Sequence, residues 1–344
     1  MSRQLSDTPV RPDEQVTSSS TTGSIPVQKK REPSIFWPWL GGLLVVGLVI
    51  VGVVTLSVWN WLNTIQGGMN TNQNSSSVST LNVGRSALYA DLNITWNNVQ
   101  YTTFFSDDPI HAGSATARVT LSVNNPTSNT VVIAYYDDVR LLIPGHQPIV
   151  PTNLSLSAAP QKGTTQTGWI DFPVAKGISL ATLKLQLGNA AANEMLVTIP
   201  INGAYNSNQY QTRTVHPALT VNYYFKGWQL PGYTLTYHLV SVDMRYSYNG
   251  SETKDGQQYY VLHFTVDNPN GASVSPGYGF DYLRLALNGG NRPPVDNTLP
   301  ATFKPNARGV AGSVTYQAPA GLHALTIVFL RQAVAGGDPY PISW

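Results

Sequence analysis

At 344 residues the chain has room for about two domains, and only 11% of it is charged against roughly 25% in an average protein, with Asn, Thr, Ser, Gly and Tyr in place of the missing charge. The net charge of +2 is spread evenly: residues 1–34 hold five basic and four acidic side chains, leaving 15 and 14 beyond, which excludes an electrostatic footprint for nucleic acid. There is no cysteine, which excludes disulfides, zinc–thiolate sites and cysteine nucleophiles and is more typical of a bacterial or archaeal surface protein than of a eukaryotic secreted one.

Residues 1–34 are polar and punctuated by Pro9, Pro12, Pro26 and Pro33. Such a segment cannot bury enough apolar surface to order itself, so a disordered cytoplasmic tail is expected. From residue 33 to residue 84 there is no charge, and residues 40–58 are almost purely Gly, Leu, Val and Ile. That length suffices to cross a hydrocarbon core of about 30 Å, and a single transmembrane helix is expected over residues 35–62, with the lipid bilayer as its partner. Trp37 and Trp39 at one end and Trp59 and Trp61 at the other would sit at the two interfaces. Lys29, Lys30 and Arg31 precede the span and the first basic residue after it is Arg85, which places the N-terminus in the cytoplasm and the remainder outside. No alanine occurs before Ala87, so a cleavage site of the A-x-A kind is missing and the span reads as an uncleaved signal anchor. The glycines at 42, 47 and 52 rotate around the helix and make no GxxxG dimer face. Residues 63–84, rich in Asn, Ser, Gly and Gln, are expected to form a flexible stalk.

Beyond the stalk the sequence repeats itself. Leu121-Ser122-Val123-Asn124-Asn125-Pro126 returns as Phe264-Thr265-Val266-Asp267-Asn268-Pro269, and Asp137-Asp138-Val139-Arg140-Leu141 as Asp281-Tyr282-Leu283-Arg284-Leu285. Gly168-Trp169-Ile170-Asp171-Phe172 returns as Gly312-Ser313-Val314-Thr315-Tyr316, and residues 92–99 and 183–187 also find counterparts at nearly the same offset. The period is too long for a solenoid, so each copy is a domain-sized unit. Leu183, Leu185 and Leu187, or Leu262, Phe264 and Val266, alternate with polar residues, the period of a half-buried strand. Turn residues such as Pro144-Gly145 and Asn288-Gly289-Gly290 separate these runs. The expected fold class is all-β, with two tandem sandwiches over residues 85–202 and 231–344 and a linker over 203–230.

These motifs resemble the telokin-like, immunoglobulin-like extracellular domains of unknown function found in bacterial membrane-anchored proteins. The matching pieces are residues 123–126, 137–141 and 168–172 followed by Pro173. The second copy departs in having Tyr316 for Phe172 and a later proline, Pro319. The Asn268-Pro269-Asn270 step is also similar to the water-stress and late-embryogenesis-abundant sandwich domain. The resemblance implies two immunoglobulin-like sandwiches and no activity. Structural roles are expected for the recurring Asn125, Pro126, Asp137, Arg140 and Gly168, and for Asn268, Pro269, Asp281, Arg284 and Gly312.

No catalytic constellation, cofactor motif or metal-binding spacing is apparent. The six histidines are scattered, with no HExxH, P-loop, GxGxxG or GxSxG pattern. Asp107-Asp108 and Asp137-Asp138 lack the spacing of a calcium loop and read as turn or strand-end carboxylates; His263 reads as a strand surface residue. The tyrosine clusters suit either packing across strands or contact with a protein or carbohydrate ligand. The expectation is a non-enzymatic, membrane-anchored surface protein displaying two modules for binding, adhesion or envelope structure. An accessory or sensor subunit of a membrane complex is the alternative, with an extracellular hydrolase more distant.

Overall fold

The computed structural model of the protein describes residues 77–225, 232–331 and 336–344. The expected tail, the helix over 35–62 with Trp37, Trp39, Trp59 and Trp61, the flanking Lys29, Lys30 and Arg31, and the stalk up to residue 76 lie outside the described residues. No helix among the described residues is long and apolar enough to cross a membrane.

The described chain is a β protein with two sandwich-like units, each around its own core. In repeat 1 the strands are β1 (Ser79–Tyr89), β2 (Leu92–Thr102), β3 (Ala115–Asn124), β4 (Val139–Leu142), β5 (Asn153–Leu154), β6 (Thr165–Val174), β7 (Lys184–Leu187) and β8 (Val197–Pro200). One sheet has the order β1-β2-β3-β6-β5 and faces a second with the order β4-β7-β8. Leu92, Ile94, Trp96, Val119, Leu121 and Val123 from the first meet Val139, Leu141, Leu185 and Ile199 from the second, all buried.

Repeat 2 holds β9 (Arg213–Val215), β10 (Leu219–Phe225), β11 (Tyr233–Arg245), β12 (Ser247–Tyr248), β13 (Ser251–Glu252), β14 (Gln257–Asp267), β15 (Leu283–Leu287), β16 (Gly290–Arg292), β17 (Asp296–Asn297), β18 (Val310–Pro319), β19 (Ala324–Leu330) and β20 (Gly337–Ser343). Its sheets run β10-β11-β14-β18-β17 and β16-β15-β19-β20. Apart from the added β9, β16 and the β12–β13 hairpin, strand order is the same in both repeats, and corresponding sequence segments occupy corresponding strands. Even an irregularity recurs. The inward series Leu92, Ile94, Trp96 skips to Val99 across a bulge between Trp96 and Asn98, and Leu235, Tyr237, Leu239 skips to Val242 across one between Leu239 and Ser241. A bulge adds one residue to one strand and so resets which side chains face inward.

Two boundaries differ from expectation. β1 begins at Ser79, inside the segment read as stalk, because Leu81 and Val83 pack on core 1. The segment read as a linker is divided between the repeats. Tyr205 and Tyr210 pack on core 1, the Tyr205 hydroxyl donating to Ser86 O, while β9 and β10 flank β11 in the second sheet. Asn and Gln content suggested a loose linker; the alternation of Leu219, Val221 and Tyr223 makes a strand of it.

The tyrosines mostly serve the cores. Tyr237 and Tyr282 are buried and share a hydroxyl–hydroxyl hydrogen bond of 2.8 Å, with the rings of Tyr223, Phe264 and Phe329 around them. Tyr224, next to Tyr223 on β10, faces solvent, as strand alternation requires.

Candidate functional site

The residues that recur in both repeats hold turns and crossings. Asn125 and Asn268 are buried at the ends of β3 and β14. The Asn125 amide donates to Asn129 O and Pro160 O, and its oxygen accepts from Thr127 N and Oγ1. Asn268 donates to Ala272 O, Phe303 O and Lys304 O and accepts from Asn270. Each stands in for missing backbone partners where the strand ends, and the following Pro126 and Pro269 are exposed. Gly168 and Gly312 lie where a neighbouring segment approaches closely, through side chains at Gly168 and through backbone at Gly312. A Cβ on Gly168 would come within 2.7 Å of Ser155 Oγ, and one on Gly312 within 2.8 Å of Leu299 Cα.

Residues 135–138 form a single helical turn, where the sequence suggested a strand end, and Gly279–Tyr282 form its counterpart. Asp138 and Asp281 each accept from a backbone N–H at the start of the turn, Ala134 N and Tyr278 N. Arg140 and Arg284 donate to the carbonyls of Tyr136 and Phe280 at hydrogen bonds of 2.7 Å. Among the described residues no ion pair joins Asp137 to Arg140 or Asp281 to Arg284; the recurring arginines tie down the turn, and its capping acid is Asp281 in repeat 2 but Asp138, not the exposed Asp137, in repeat 1. His263 lies on the strand surface with its Nε2 2.9 Å from Asp243 Oδ2.

Asp107 and Asp108 have separate tasks. Arg118 on β3 is clamped by Asp107 at 2.7 and 2.9 Å and by the buried Asp171 of β6 at 2.8 Å twice. Its guanidinium lies between the rings of Phe105 and Trp169, at 4.0 and 3.8 Å from their centres. The ion pair holds the Asp107 carboxyl below the usual carboxylate range. Asp108 is buried and accepts from Ile110 N and Thr116 Oγ1. In repeat 2 the positions of Arg118 and Asp171 are taken by Val261 and Thr315, which likewise face each other across the ladder. No group of three His, Asp or Glu side chains able to hold a metal ion occurs among the described residues.

The junction between the repeats has the richest chemistry. Two tight hairpin turns meet there. Ala90 and Asp91, both at positive φ, turn β1 into β2; Asn249 and Gly250, also at positive φ, turn β12 into β13. Such two-residue turns match the twist of the flanking strands. Asp91 pairs with Arg245 through one oxygen and accepts from Gly250 N at 2.9 Å through the other. Across the same seam Glu252 Oε2 accepts from Ala90 N at 3.0 Å and from Ser247 Oγ at 2.7 Å, while its Oε1 is buried without a partner. Burial, reinforced by the neighbouring Glu194 and Asp91, pushes the Glu252 carboxyl up to about 8. Glu194 in turn accepts from Tyr89 Oη and Asn189 N. Backbone bonds from Met195 N to Thr253 O and from Asp255 N to Asn193 O, each 2.9 Å, close the seam.

Beside this seam is a groove of about 280 Å³ whose walls are Asp91 and Thr127–Asn129 of repeat 1 and Arg245, Tyr248 and Asn249 of repeat 2. Hydroxyls, amides, one ion pair and one aromatic ring line it, the chemistry of a site for a polar ligand such as a sugar or a peptide backbone. It holds no histidine or paired free carboxylates to activate a nucleophile. Of the groups at the junction, sequence reasoning reached Tyr248 alone, as one of the clustered tyrosines suited to packing or to ligand contact. A further signal was the Asn249-Gly250 pair, a strong hairpin marker between two short polar strands. Arg118 and Asp171 were legible only as a place where the second copy has apolar or neutral residues instead.

No protein-family model matches the chain, and no curated protein sequence matches it.

Proposed function

We propose that this chain is a single-pass membrane protein with a cytoplasmic N-terminal tail, a transmembrane helix over residues 35–62, and two tandem immunoglobulin-like β-sandwiches outside the cell. The sandwiches act as a non-catalytic module for binding, adhesion or envelope structure. The telokin-like resemblance fits this reading. The observation that carries it is the junction: two copies of one fold are fastened by a buried carboxylate, an ion pair and backbone hydrogen bonds, which fixes the polar groove between them as a single preformed surface. The engagement of Asp107, Asp108, Asp138 and Glu252 in an arginine pair, caps and the seam supports the non-catalytic reading.

Crosslinking mass spectrometry on intact cells tests the proposal. Crosslinks from residues 77–344 to an extracellular protein or envelope polymer are expected, and these should weaken when Tyr248 and Asn249 in the groove are both changed to alanine. Crosslinks confined to residues 1–34, or hydrolysis of a glycan or peptide panel by the purified protein, would overturn it.

A further inference from the structure

The connection from β2 to β3, residues 103–114, is built to hold apolar side chains in water. Its counterpart in repeat 2, residues 246–256, is the hairpin that docks on repeat 1, so this edge of the fold is where a sandwich meets something else. In repeat 1 the connection lies at the end away from the junction, the length of β2 from the turn at Ala90 and Asp91, roughly 35 Å at about 3.3 Å per residue. Here Phe104 is 47% exposed and Ile110 52%, with Val78 51% exposed where the chain leads into β1 opposite the end of β2. Phe104 packs edge-on against His111, ring centres 5.4 Å apart.

The connection is well supported from beneath. Buried Asp108 ties Ile110 N to Thr116 Oγ1, Asp108 N donates to Phe105 O at 3.0 Å, and Arg118 grips Asp107 while stacking on Phe105. Large apolar side chains displayed on a rigid support mark a docking surface. Asp107 is paired with Arg118, which Asp171 shares, Asp108 is buried, and the backbone N–H of exposed Lys176 donates to Ser114 Oγ of the connection, so the exposed tip carries apolar side chains without an unpaired exposed carboxylate.

The chain also enters the fold at this end. Ser79 lies opposite Tyr101, and residues 63–78 are all that separate the apolar run from β1. Fully extended, that segment reaches about 55 Å at most. From these observations we infer that residues 103–114 form a lipid-contacting loop that places Phe104 and Ile110 in the headgroup region of the bilayer. The inference rests on the membrane-anchored reading above.

The absence of cysteine allows a single label to be placed at will. Full-length protein carrying Ile110→Cys or Phe104→Cys, labelled with an environment-sensitive fluorophore, is reconstituted into phosphatidylcholine–phosphatidylglycerol vesicles. Ser275→Cys, in the exposed connection at the far end of repeat 2, is the reference. Quenching by spin-labelled lipid at least threefold stronger at 110 and 104 than at 275 is the expected result. Equal quenching at all three sites in protein that floats with the vesicles overturns the loop while leaving the anchor intact. Shielding of position 110 from both lipid quencher and aqueous iodide overturns it in favour of a protein occupant. Failure of the protein to float with the vesicles overturns the anchor and the loop together.

Discussion

Glu252→Gln removes a carboxylate ionisation that the junction opposes. In the folded chain the carboxyl titrates near 8, against an ordinary 4.5, because it is buried beside Glu194 and Asp91. A raised carboxyl keeps its proton in the folded state while the unfolded chain has already lost it, so stability falls as pH rises from about 4.5 to about 8. Over the two pH units from 5.5 to 7.5 the loss is about 2.5 kcal/mol from this group, at roughly 1.36 kcal/mol per unit. Glutamine has the same shape and no charge to lose. The expected outcome is that the stability of the variant relative to wild type rises by about 2 to 3 kcal/mol between pH 5.5 and pH 7.5. Urea unfolding of residues 77–344, a unit with two complete cores, followed by tryptophan fluorescence at both pH values, reads this directly. Parallel pH dependence in the two proteins would refute the reasoning, since every other titrating group is common to both.

Arg118→Ala strands the buried Asp171 and should cost about 3 to 5 kcal/mol; combining Arg118→Val with Asp171→Thr, the pair that repeat 2 carries, should recover at least half of it, and a double variant as unstable as the single one would contradict the equivalence of the two sites. Asn268→Ala leaves the carbonyls of Ala272, Phe303 and Lys304 without their shared donor and should lower the unfolding free energy by about 2 to 4 kcal/mol, a thermal or urea midpoint unchanged from wild type being the contrary result. Gly312→Ala drives a Cβ against the Leu299 backbone and should destabilise by about 1 to 3 kcal/mol, whereas alanine at the open position Gly271, which has no neighbour within 4 Å and no positive φ, should change stability by less than about 1 kcal/mol.

The strands were legible because their residues obey a period of two. Leu121 and Val123, or Phe264 and Val266, face a core on one side only, and the side-chain alternation follows from the pleat. The recurring Asn125, Asn268, Gly168 and Gly312 stood out because a strand-end turn and a close approach of a neighbouring segment leave few substitutes for them. What escaped were features decided by partners distant in sequence. β1 reads as stalk until Val99 and Tyr101 lie beside it. Tyr205 looks like part of a linker until it covers core 1. Glu252 is an ordinary strand-end acid in sequence and becomes a buried one only because Ala90 and Glu194, more than 50 residues earlier, close over it. Arg118 sits in an apolar stretch, Ala117-Arg118-Val119, and its place is explained only by Asp171 directly across the ladder.

The central claim, a chain anchored in the membrane with its sandwiches outside, is tested most directly by labelling single cysteines with a membrane-impermeant maleimide on intact cells. The account predicts that Ser275→Cys is labelled at once, that Ser18→Cys is labelled only after lysis, and that the protein stays with the membranes after carbonate extraction. Labelling of position 18 but not of 275 in intact cells, or release of the protein into the soluble fraction, would contradict it.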